Sequence, residues 1–408
     1  MNAPIPPLDL ASLDVSDPEI YRSDTWHDPF ARLRAEAPVH YCPDSPFGPY
    51  WSVTKYSDIM QVELDHETYS SEIGGTQLRD DPPGSEIQNF IRMDPPTHTA
   101  ERKTVAPIVA PFNLKNFTPT IRQRTCEVLD SLPRNEEFDW VDLVSIELTT
   151  MMLATLFNFP WEDRRKLTYW SDVAVQFTFD EPDAVVKSEQ ERWAELVKMA
   201  EYFQTLWNQR ASEPPTFDLI SMLAHSDDTR NMSPRKFIGN LALLIVGGND
   251  TTRNTMSGGL YYLSQNPTEW AKIRADHGLV PKLVAETIRY QTPVIHMRRT
   301  ATRDAELGGK AIRKGDKVVM WYISGNRDEE VIPDADAFIV DRAKPRQHLS
   351  YGAGIHRCVG DRLADLQLQI LWEELLKRDL RIEVLDEPTR LSSNFIRGIR
   401  KLPVRIAA

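Results

Sequence analysis

The chain has 408 residues, of which 41% are hydrophobic and 26% are charged, values typical of a soluble globular protein. Its formal net charge of −12 argues against nonspecific nucleic-acid binding, which requires a basic surface. The three cysteines, Cys42, Cys126 and Cys358, are scattered, which argues against a disulfide framework or a zinc site. We find no signal-peptide pattern, and the longest apolar run, residues 241–246, is far shorter than a membrane span. We therefore expect a cytoplasmic protein without a membrane anchor.

The first part of the chain predicts little regular structure. The first 45 residues are rich in proline and aspartate and predict an irregular arm with one short helix at about residues 29–36. Residues 50–56 alternate aromatic or β-branched residues with polar ones, which predicts a strand. Residues 73–86 combine glycines, prolines and charges and predict a long mobile loop of the kind that often forms a lid.

Helical patterns dominate the rest of the chain. From about residue 114 to residue 273 almost every segment has a helical period, with breaks at residues 158–160 and 212–215. Strand-like segments return at residues 293–301 and 316–321 and near the C-terminus. No linker, internal repeat or low-complexity segment divides the chain. The sequence predicts one mainly α-helical unit over residues 1–408, with small β-sheets gathered at one side.

One helix is expected to cross the whole molecule. Ser233 is a favourable N-cap, followed by proline at the first helical position, and the pattern continues to Gln265, where Asn266 and Pro267 end it. Residues 234–265 would span roughly 48 Å at helical rise.

The middle of this helix holds an unusual group of residues. Gly247 and Gly248 cost about 1–2 kcal/mol relative to alanine, so another interaction should compensate. Either they let a flat cofactor or O2 approach the backbone beside the acid–alcohol pair Asp250 and Thr251, or they allow tight helix packing next to a solvated aspartate. The residues alone favour both interpretations equally.

Cys358 lies in a glycine-rich segment, residues 350–360. Glycines at positions 352, 354 and 360 permit positive φ angles and a close backbone approach. Apolar residues at helical spacing follow Gly360, so the cysteine should stand just before a helix N-terminus, where an ionised sulfur is favoured. A thiolate at this position could bind a haem iron and promote O–O cleavage. A lone cysteine is more often a small buried hydrophobe.

With His356 and Arg357 beside Cys358, this segment resembles the cysteine motif of the cytochrome P450 family. Tyr351 departs from the pattern, since the family usually has phenylalanine there. The glycine-containing part of the long helix resembles the oxygen-activating segment of the same family, and the resemblance extends from about residue 50 to the turn at residues 393–398. It implies the cytochrome P450 fold, a triangular helical prism that holds haem b between a long central helix and the cysteine loop.

The resemblance also implies roles for individual residues. Cys358 would be the axial ligand of the haem iron, with Gly247 and Gly248 close to the cofactor. Thr251 would hydrogen-bond the oxygen bound at the iron, and Asp250 would relay protons to it.

Six positions are further support for haem binding. Glu286 and Arg289, at i and i+3, match a structural ion pair of the family, although such a pair by itself is usually a weak surface contact. Four cations fall where the family places ligands of the haem propionates: His98, Arg102, Arg299 and His356. Arg298 stands beside Arg299 and leaves the choice between these two open.

The implied activity is that of a bacterial haem-thiolate monooxygenase. It would use O2 and two electrons to insert one oxygen atom into an unactivated C–H bond and release water. We see no reductase domain, so we expect a separate ferredoxin and an NAD(P)H-dependent ferredoxin reductase, docking at a basic patch around Arg357 and Arg362. We expect a monomer.

The substrate is a finer inference. Residues 248–254, with residues 109–111 and 394–395, resemble the subfamily that hydroxylates the terminal carbon of medium-chain alkanes and fatty acids. A narrow apolar channel is then expected, with candidate walls at Leu78, Leu243, Leu244, Val246, Val294, Ile295, Met297 and Phe395. A terpene or steroid-like substrate remains an alternative. A haem sensor or a peroxide-driven enzyme is another, although neither needs the Asp250–Thr251 pair.

Overall fold

The computed structural model describes residues 9–81, 88–176, 179 and 184–407. The α-helices in these ranges are α1 (Pro18–Arg22), α2 (His27–Glu36), α3 (Tyr56–Leu64), α4 (Thr97–Val105), α5 (Pro111–Ser131), α6 (Glu147–Phe157), α7 (Arg165–Val175), α8 (Glu189–Ser212), α9 (Leu219–His225), α10 (Pro234–Gln265), α11 (Pro267–Ala275), α12 (Val280–Gln291), α13 (Tyr322–Gly325) and α14 (Asp361–Lys377). The strands are β1 (Val39–Cys42), β2 (Tyr50–Val53), β3 (Tyr69–Ser70), β4 (Glu137–Asp139), β5 (His296–Ala301), β6 (Ala305–Leu307), β7 (Lys310–Ile312), β8 (Lys317–Trp321), β9 (Arg381–Val384), β10 (Thr389–Arg390), β11 (Ile399–Lys401) and β12 (Pro403–Ala407). The mainly helical architecture with small sheets is therefore confirmed.

The largest sheet has the strand order β1-β2-β8-β5-β3. Strands β2 and β8 are parallel, and the other neighbours are antiparallel. All five residues of β8 are buried, as expected for a central strand that is covered on both faces. The smaller sheets have the orders β4-β12-β9, β6-β7 and β10-β11.

The long helix α10 is the axis of the helical part. It has the predicted limits, and the Ser233 hydroxyl caps it by accepting the backbone N–H of Lys236. Its first half, with Phe237 and Ile245, packs into one hydrophobic cluster with α6, α7 and α8. Its second half, with Leu260, packs into another cluster with α12 and α14. None of the helices in the described ranges is long and apolar enough to cross a membrane.

The N-terminal arm is more ordered than the sequence indicates. Within residues 9–45 the structure has α1, α2 and β1. The predicted short helix at about residues 29–36 is confirmed by α2, whereas the prediction that the rest of the arm is irregular is wrong, because α1 and β1 are also present. Asp17 caps α1 at the backbone N–H of Glu19, and proline follows at the first helical position. Trp26 and Phe30 are fully buried against the large sheet, where Phe30 lies 5.4 Å from the Trp321 ring. Their burial stabilises helices too short to form alone.

The segment after β3 lies on the edge of the large sheet. Thr76 accepts a hydrogen bond from the backbone N–H of Arg298 at 2.8 Å. The Asp80 carboxylate accepts hydrogen bonds from Arg298 and, at 3.1 Å, from Lys317. Residues 73–81 are therefore attached to β5 and β8. Residues 82–86 of the predicted mobile loop lie outside the described part of the chain.

Candidate functional site

A cavity lies between the middle of α10 and the loop that carries Cys358. The space between its lining residues is about 1590 Å³, its mouth included. Gly247, Gly248 and Thr251 line it from α10, and Cys358 lines it from the opposite side. The structure thus brings together two motifs that are more than 100 positions apart in the sequence.

The glycines of the cysteine loop allow a tight backbone path. Gly352 and Gly354 have φ angles of +64° and +61°, which residues with side chains rarely adopt. A Cβ atom on Gly354 would lie 2.4 Å from the carbonyl oxygen of Glu63. The backbone N–H of Cys358 donates to the carbonyl oxygen of Tyr351 at 2.8 Å and closes the loop.

The hydroxyl that Tyr351 adds to the family pattern has a partner. It donates a hydrogen bond to Asp365 of α14 at 2.8 Å. Burial and the nearby Asp365 carboxylate raise the pKa of this phenol well above its usual value. Tyr351 therefore ties the start of the loop to the helix that follows it.

The surroundings of the Cys358 thiol do not ionise it. Cys358 is exposed to the cavity, but the surrounding protein keeps bulk water away from the thiol and raises its pKa to about 11, and Asp361 at the start of α14 adds to this effect. The Gly360 N–H, Arg102 and Arg357 oppose the increase without overcoming it. The protein groups around the sulfur therefore favour the thiol over the thiolate. A metal cation bound to the sulfur would favour the thiolate.

The two glycines of α10 serve different purposes. A Cβ atom on Gly247 would have no neighbouring atom within 4 Å, so this residue leaves the cavity open. A Cβ atom on Gly248 would lie 2.6 Å from the side chain of Leu153 on α6, so Gly248 permits helix packing. Gly247 therefore fits the interpretation that the backbone is open to a cofactor, and Gly248 fits the interpretation of tight helix packing. Thr251 donates its hydroxyl hydrogen to the carbonyl oxygen of Gly247 at 2.9 Å.

Asp250 faces away from the cavity. It is fully buried, and its Oδ1 atom lies 2.7 Å from Nη2 of Arg253, which also pairs with Asp172 of α7. Burial raises the pKa of Asp250 to about 6 despite the lowering effect of Arg253, and Asp172 contributes to the increase. Val246, one turn earlier, does not line the cavity either. These two positions share a stripe of α10 different from that of Gly247 and Thr251.

Two histidines and two arginines gather at one end of the cavity. The rings of His98 and His356 are in contact, with centroids 4.3 Å apart, and their ring nitrogens have no hydrogen-bond partner among the described residues. Arg102 and Arg299 line the cavity beside them. Arg298, on the other face of β5, instead pairs with Asp80, so strand geometry decides between the two neighbouring arginines.

These residues fit a flat cofactor that carries carboxylates and an axially bound metal. Buried polar groups are usually paired, so the unpartnered imidazole nitrogens indicate a ligand with hydrogen-bonding groups. Burial and the nearby arginines lower the pKa of both histidines, that of His356 to about 2, so both imidazoles are neutral at pH 7 and can each donate a hydrogen bond to a carboxylate. The Cys358 sulfur, which lines the same cavity, would bind the metal of such a cofactor. The residues fit haem b.

A buried carboxylate in this region was missed by sequence reasoning. Glu63, on α3, lines the cavity and accepts hydrogen bonds from the Tyr322 hydroxyl and, at 3.0 Å, from Arg299. A single acidic residue near the end of a short helix usually lies in solvent. The local sequence therefore gives no signal for this position.

The ion pair between Glu286 and Arg289 is a buried anchor and not a surface contact. The two side chains are 0% and 1% exposed and 2.7 Å apart, and Arg342 also binds Glu286 at 2.9 Å. Arg289 donates further hydrogen bonds to the carbonyl oxygens of Asn326 and Ala335. The pair thereby fixes the irregular segment that leads to the cysteine loop.

The structure brings only half of the predicted substrate walls to the cavity. Leu243, Leu244, Val294 and Met297 line it. The sequence did not indicate the remaining apolar lining residues, which include Phe90, Ile91, Val109, Met152, Leu156 and Leu219.

The other predicted walls lie elsewhere. Ile295 is fully buried in the core cluster around Trp321, because consecutive residues of an extended strand face opposite sides. Leu78 and Phe395 line a second cavity, together with His296. The inclusion of these residues and Val246 in the channel is therefore corrected.

Comparison with known proteins identifies the family that this chain resembles. The family model described as Cytochrome P450 matches residues 47–394. The structure of CYP153D17 from Sphingomonas sp. PAMC 26605 is 52% identical, with a TM-score of 0.92 over 98% of this chain and 100% of that one. Linalool 8-monooxygenase of Pseudomonas putida is 37% identical over 96% of this chain and 98% of its own length. A methyl-branched lipid omega-hydroxylase of Mycobacterium bovis is 31% identical over 98% of this chain and 95% of its own length.

Proposed function

The chain belongs to the cytochrome P450 family, whose monooxygenases bind haem b and use O2 as a co-substrate, and we propose that it hydroxylates the terminal carbon of medium-chain alkanes or fatty acids. The observation that carries this proposal is the apolar part of the cavity beyond Thr251. Leu243, Leu244 and Leu219 from helices, with Val294 and Met297 from the β5 region, surround it. Such walls suit a hydrocarbon chain and offer little to a polar substrate.

The residues around the cofactor have separable tasks. Haem, when bound, supplies the oxidising chemistry, and the protein supplies binding, orientation and protons. Cys358 is the proposed axial ligand, and His98, Arg102, Arg299 and His356 are the proposed partners of the haem carboxylates.

Two residues of α10 are proposed to supply protons. Thr251 presents a hydroxyl group on the cavity face of the helix. Asp250, whose pKa is raised to about 6, can hold and release a proton near neutral pH. Because its partner Arg253 opposes protonation, any movement that separates this pair would make the carboxyl a better proton carrier.

A terpene is the second candidate substrate class. The 37% identity to linalool 8-monooxygenase favours it, whereas the relative named as a lipid omega-hydroxylase favours a long chain. Both classes are apolar molecules that could fill the same cavity.

The electrons are proposed to come from a ferredoxin and an NAD(P)H-dependent reductase. Arg357 in the cysteine loop and Arg362 at the start of α14 are exposed and could contact an acidic partner. Arg357 is paired with Asp361 at 2.9 Å, which reduces its contribution to such a basic patch.

The substrate proposal is tested by spectral titration of the holoenzyme with octane, dodecanoic acid and linalool. We expect the linear chains to displace the iron-bound water and to yield the terminal alcohol, as identified by mass spectrometry. Val294→Phe should weaken binding of the chains, and Phe395→Leu, at the second cavity, should leave it unchanged. Turnover of linalool alone would contradict the proposal.

A further inference from the structure

A buried carboxylate lies at the cationic end of the cavity, and the proposed function assigns it no task. The Glu63 side chain is 1% exposed and lines the cavity. Its Oε2 atom accepts a hydrogen bond from Arg299 at 3.0 Å, and its Oε1 atom accepts one from the Tyr322 hydroxyl. Arg299 is also a proposed partner of the haem carboxylates. Glu63 and the haem would therefore share the charge of a single arginine.

Glu63 also contacts the loop that carries the axial cysteine. A Cβ atom on Gly352 would lie 3.3 Å from the Oε1 atom of Glu63, and one on Gly354 would lie 2.4 Å from its carbonyl oxygen. The carboxylate is therefore held between Arg299, Tyr322 and the cysteine loop. At such a buried position water screens its charge poorly, so its field extends into the cavity.

The charges at this end of the cavity are not balanced once haem is bound. Arg102 and Arg299 supply two positive charges, which two ionised haem carboxylates would neutralise. The negative charge of Glu63 is then in excess. Tyr322 does not offset it, because burial and the Glu63 carboxylate raise the pKa of this phenol well above its usual value.

We propose that the buried negative charge of Glu63, held in place by Arg299 and Tyr322, lowers the reduction potential of the haem. The inference rests on the proposed function only in requiring haem in this cavity. Ferric iron carries one positive charge more than ferrous iron, so a buried negative charge nearby stabilises the ferric state. Removal of that charge should make the iron easier to reduce.

The test is a spectroelectrochemical titration of the purified holoenzyme. Glu63→Gln retains the shape of the side chain and an oxygen that can accept from Arg299, but it removes the charge. We expect its reduction potential to be more positive than that of the wild type. Glu67→Gln removes an equal charge from an exposed position four residues later and serves as the matched control. Its shift should be several-fold smaller, because exposed charges are screened.

A conservative variant separates charge from shape. Glu63→Asp keeps the charge and should retain a reduction potential close to that of the wild type. Equal potentials for Glu63→Gln and Glu67→Gln would overturn the proposal, as would a Glu63→Asp shift as large as that of Glu63→Gln.

Haem retention gives a second, independent readout. Since Glu63→Gln removes an excess negative charge, it should transfer haem to apomyoglobin no faster than the wild type. Faster haem loss would indicate a purely structural role and would also overturn the proposal. A failure to hydroxylate any alkane or fatty acid would contradict the proposed substrate class but leave these measurements unaffected.

Discussion

Asp250 and Thr251 are neighbours in the sequence but face different parts of the molecule. Consecutive residues of a helix point about 100° apart, so two neighbours can have different surroundings. The Thr251 hydroxyl lines the cavity, whereas the Asp250 carboxylate is buried against Arg253. Of the acid–alcohol pair that the sequence indicates, only the hydroxyl therefore lies in the cavity, and the carboxyl is buried in the protein beside it.

This arrangement makes Thr251 the residue to test first. In Thr251→Ala we expect NAD(P)H consumption to continue while its electrons reduce O2 to hydrogen peroxide instead of supporting hydroxylation. The reason is that the hydroxyl on the cavity face of α10 is lost. Product and peroxide formed per NAD(P)H consumed are the quantities to measure. Thr251→Ser keeps a hydroxyl and should restore most of the product yield. An unchanged yield in Thr251→Ala would rule out the proposed role.

Sequence reasoning found residues that belong to motifs and missed one that does not. His98, Arg102 and Arg299 were named because the resemblance to the family marks their positions, and their contact with the haem carboxylates stays a prediction. Glu63 could not be predicted, because its position depends on α3 packing against the cysteine loop. The choice of Arg299 over Arg298 required the pairing of β5 with its neighbours, which fixes the face of each residue.

At the scale of elements, α10 illustrates how local signals can define a helix. Ser233 with Pro234 and Asn266 with Pro267 predicted both of its ends, and the structure has them at the same positions. These signals could not decide which side of the helix each residue would occupy in the folded protein. Gly247 faces the cavity, and Gly248 faces Leu153 of α6.

The two glycines give a matched pair of variants. Gly248→Ala should lower the free energy of unfolding by about 1–3 kcal/mol, because the new methyl group overlaps the buried Leu153 side chain. Gly247→Ala should be neutral or raise it by up to about 1 kcal/mol, since alanine favours helix and its methyl group meets open space. Melting temperatures of the two variants without haem, followed by circular dichroism, should therefore change in opposite directions or differ clearly. Equal changes would contradict the packing assigned to Gly248.

Strands were the weaker part of the sequence interpretation. Val294, Ile295 and Met297 were all predicted as walls of one channel, yet Ile295 faces the Trp321 cluster. Alternation in the sequence tells which residues share a face but not which face meets the cavity. The answer depends on contacts with Phe395 and its neighbours, about 100 positions later in the chain, which no local pattern contains.

At the scale of the molecule, the N-terminal arm is joined to the C-terminal segment. Asp24, which follows α1, pairs with Arg390 at 3.0 Å and with Arg397 at 3.1 Å. Burial alone would raise the pKa of Asp24, but these two arginines and the Trp26 indole N–H lower it to about 2. A group of low folded-state pKa stabilises the fold at pH values above its unfolded pKa.

Asp24 should therefore contribute to stability in a pH-dependent way. Asp24→Asn, which tolerates the left-handed backbone at this position (φ 56°), should lower the free energy of unfolding by about 2 kcal/mol at pH 7. The difference from the wild type should shrink as the pH falls from about 4 toward 2, because the wild-type carboxylate becomes protonated. Denaturant titrations of both proteins between pH 7 and pH 3 measure this difference in the free energy of unfolding. A difference that does not depend on pH would show that packing, not charge, joins the two segments.

The orientation of Asp250 also bears on how a long substrate and protons reach the same reaction centre. A hydrocarbon that fills the chamber in front of α10 excludes water from that side of the helix. Asp250, on the far side against Arg253 and Asp172 of α7, is not covered by that hydrocarbon. In the proposed reaction, the apolar substrate and the protons therefore reach the reaction centre along different sides of one helix. The enzyme could then accept a tightly fitting chain without losing its proton supply.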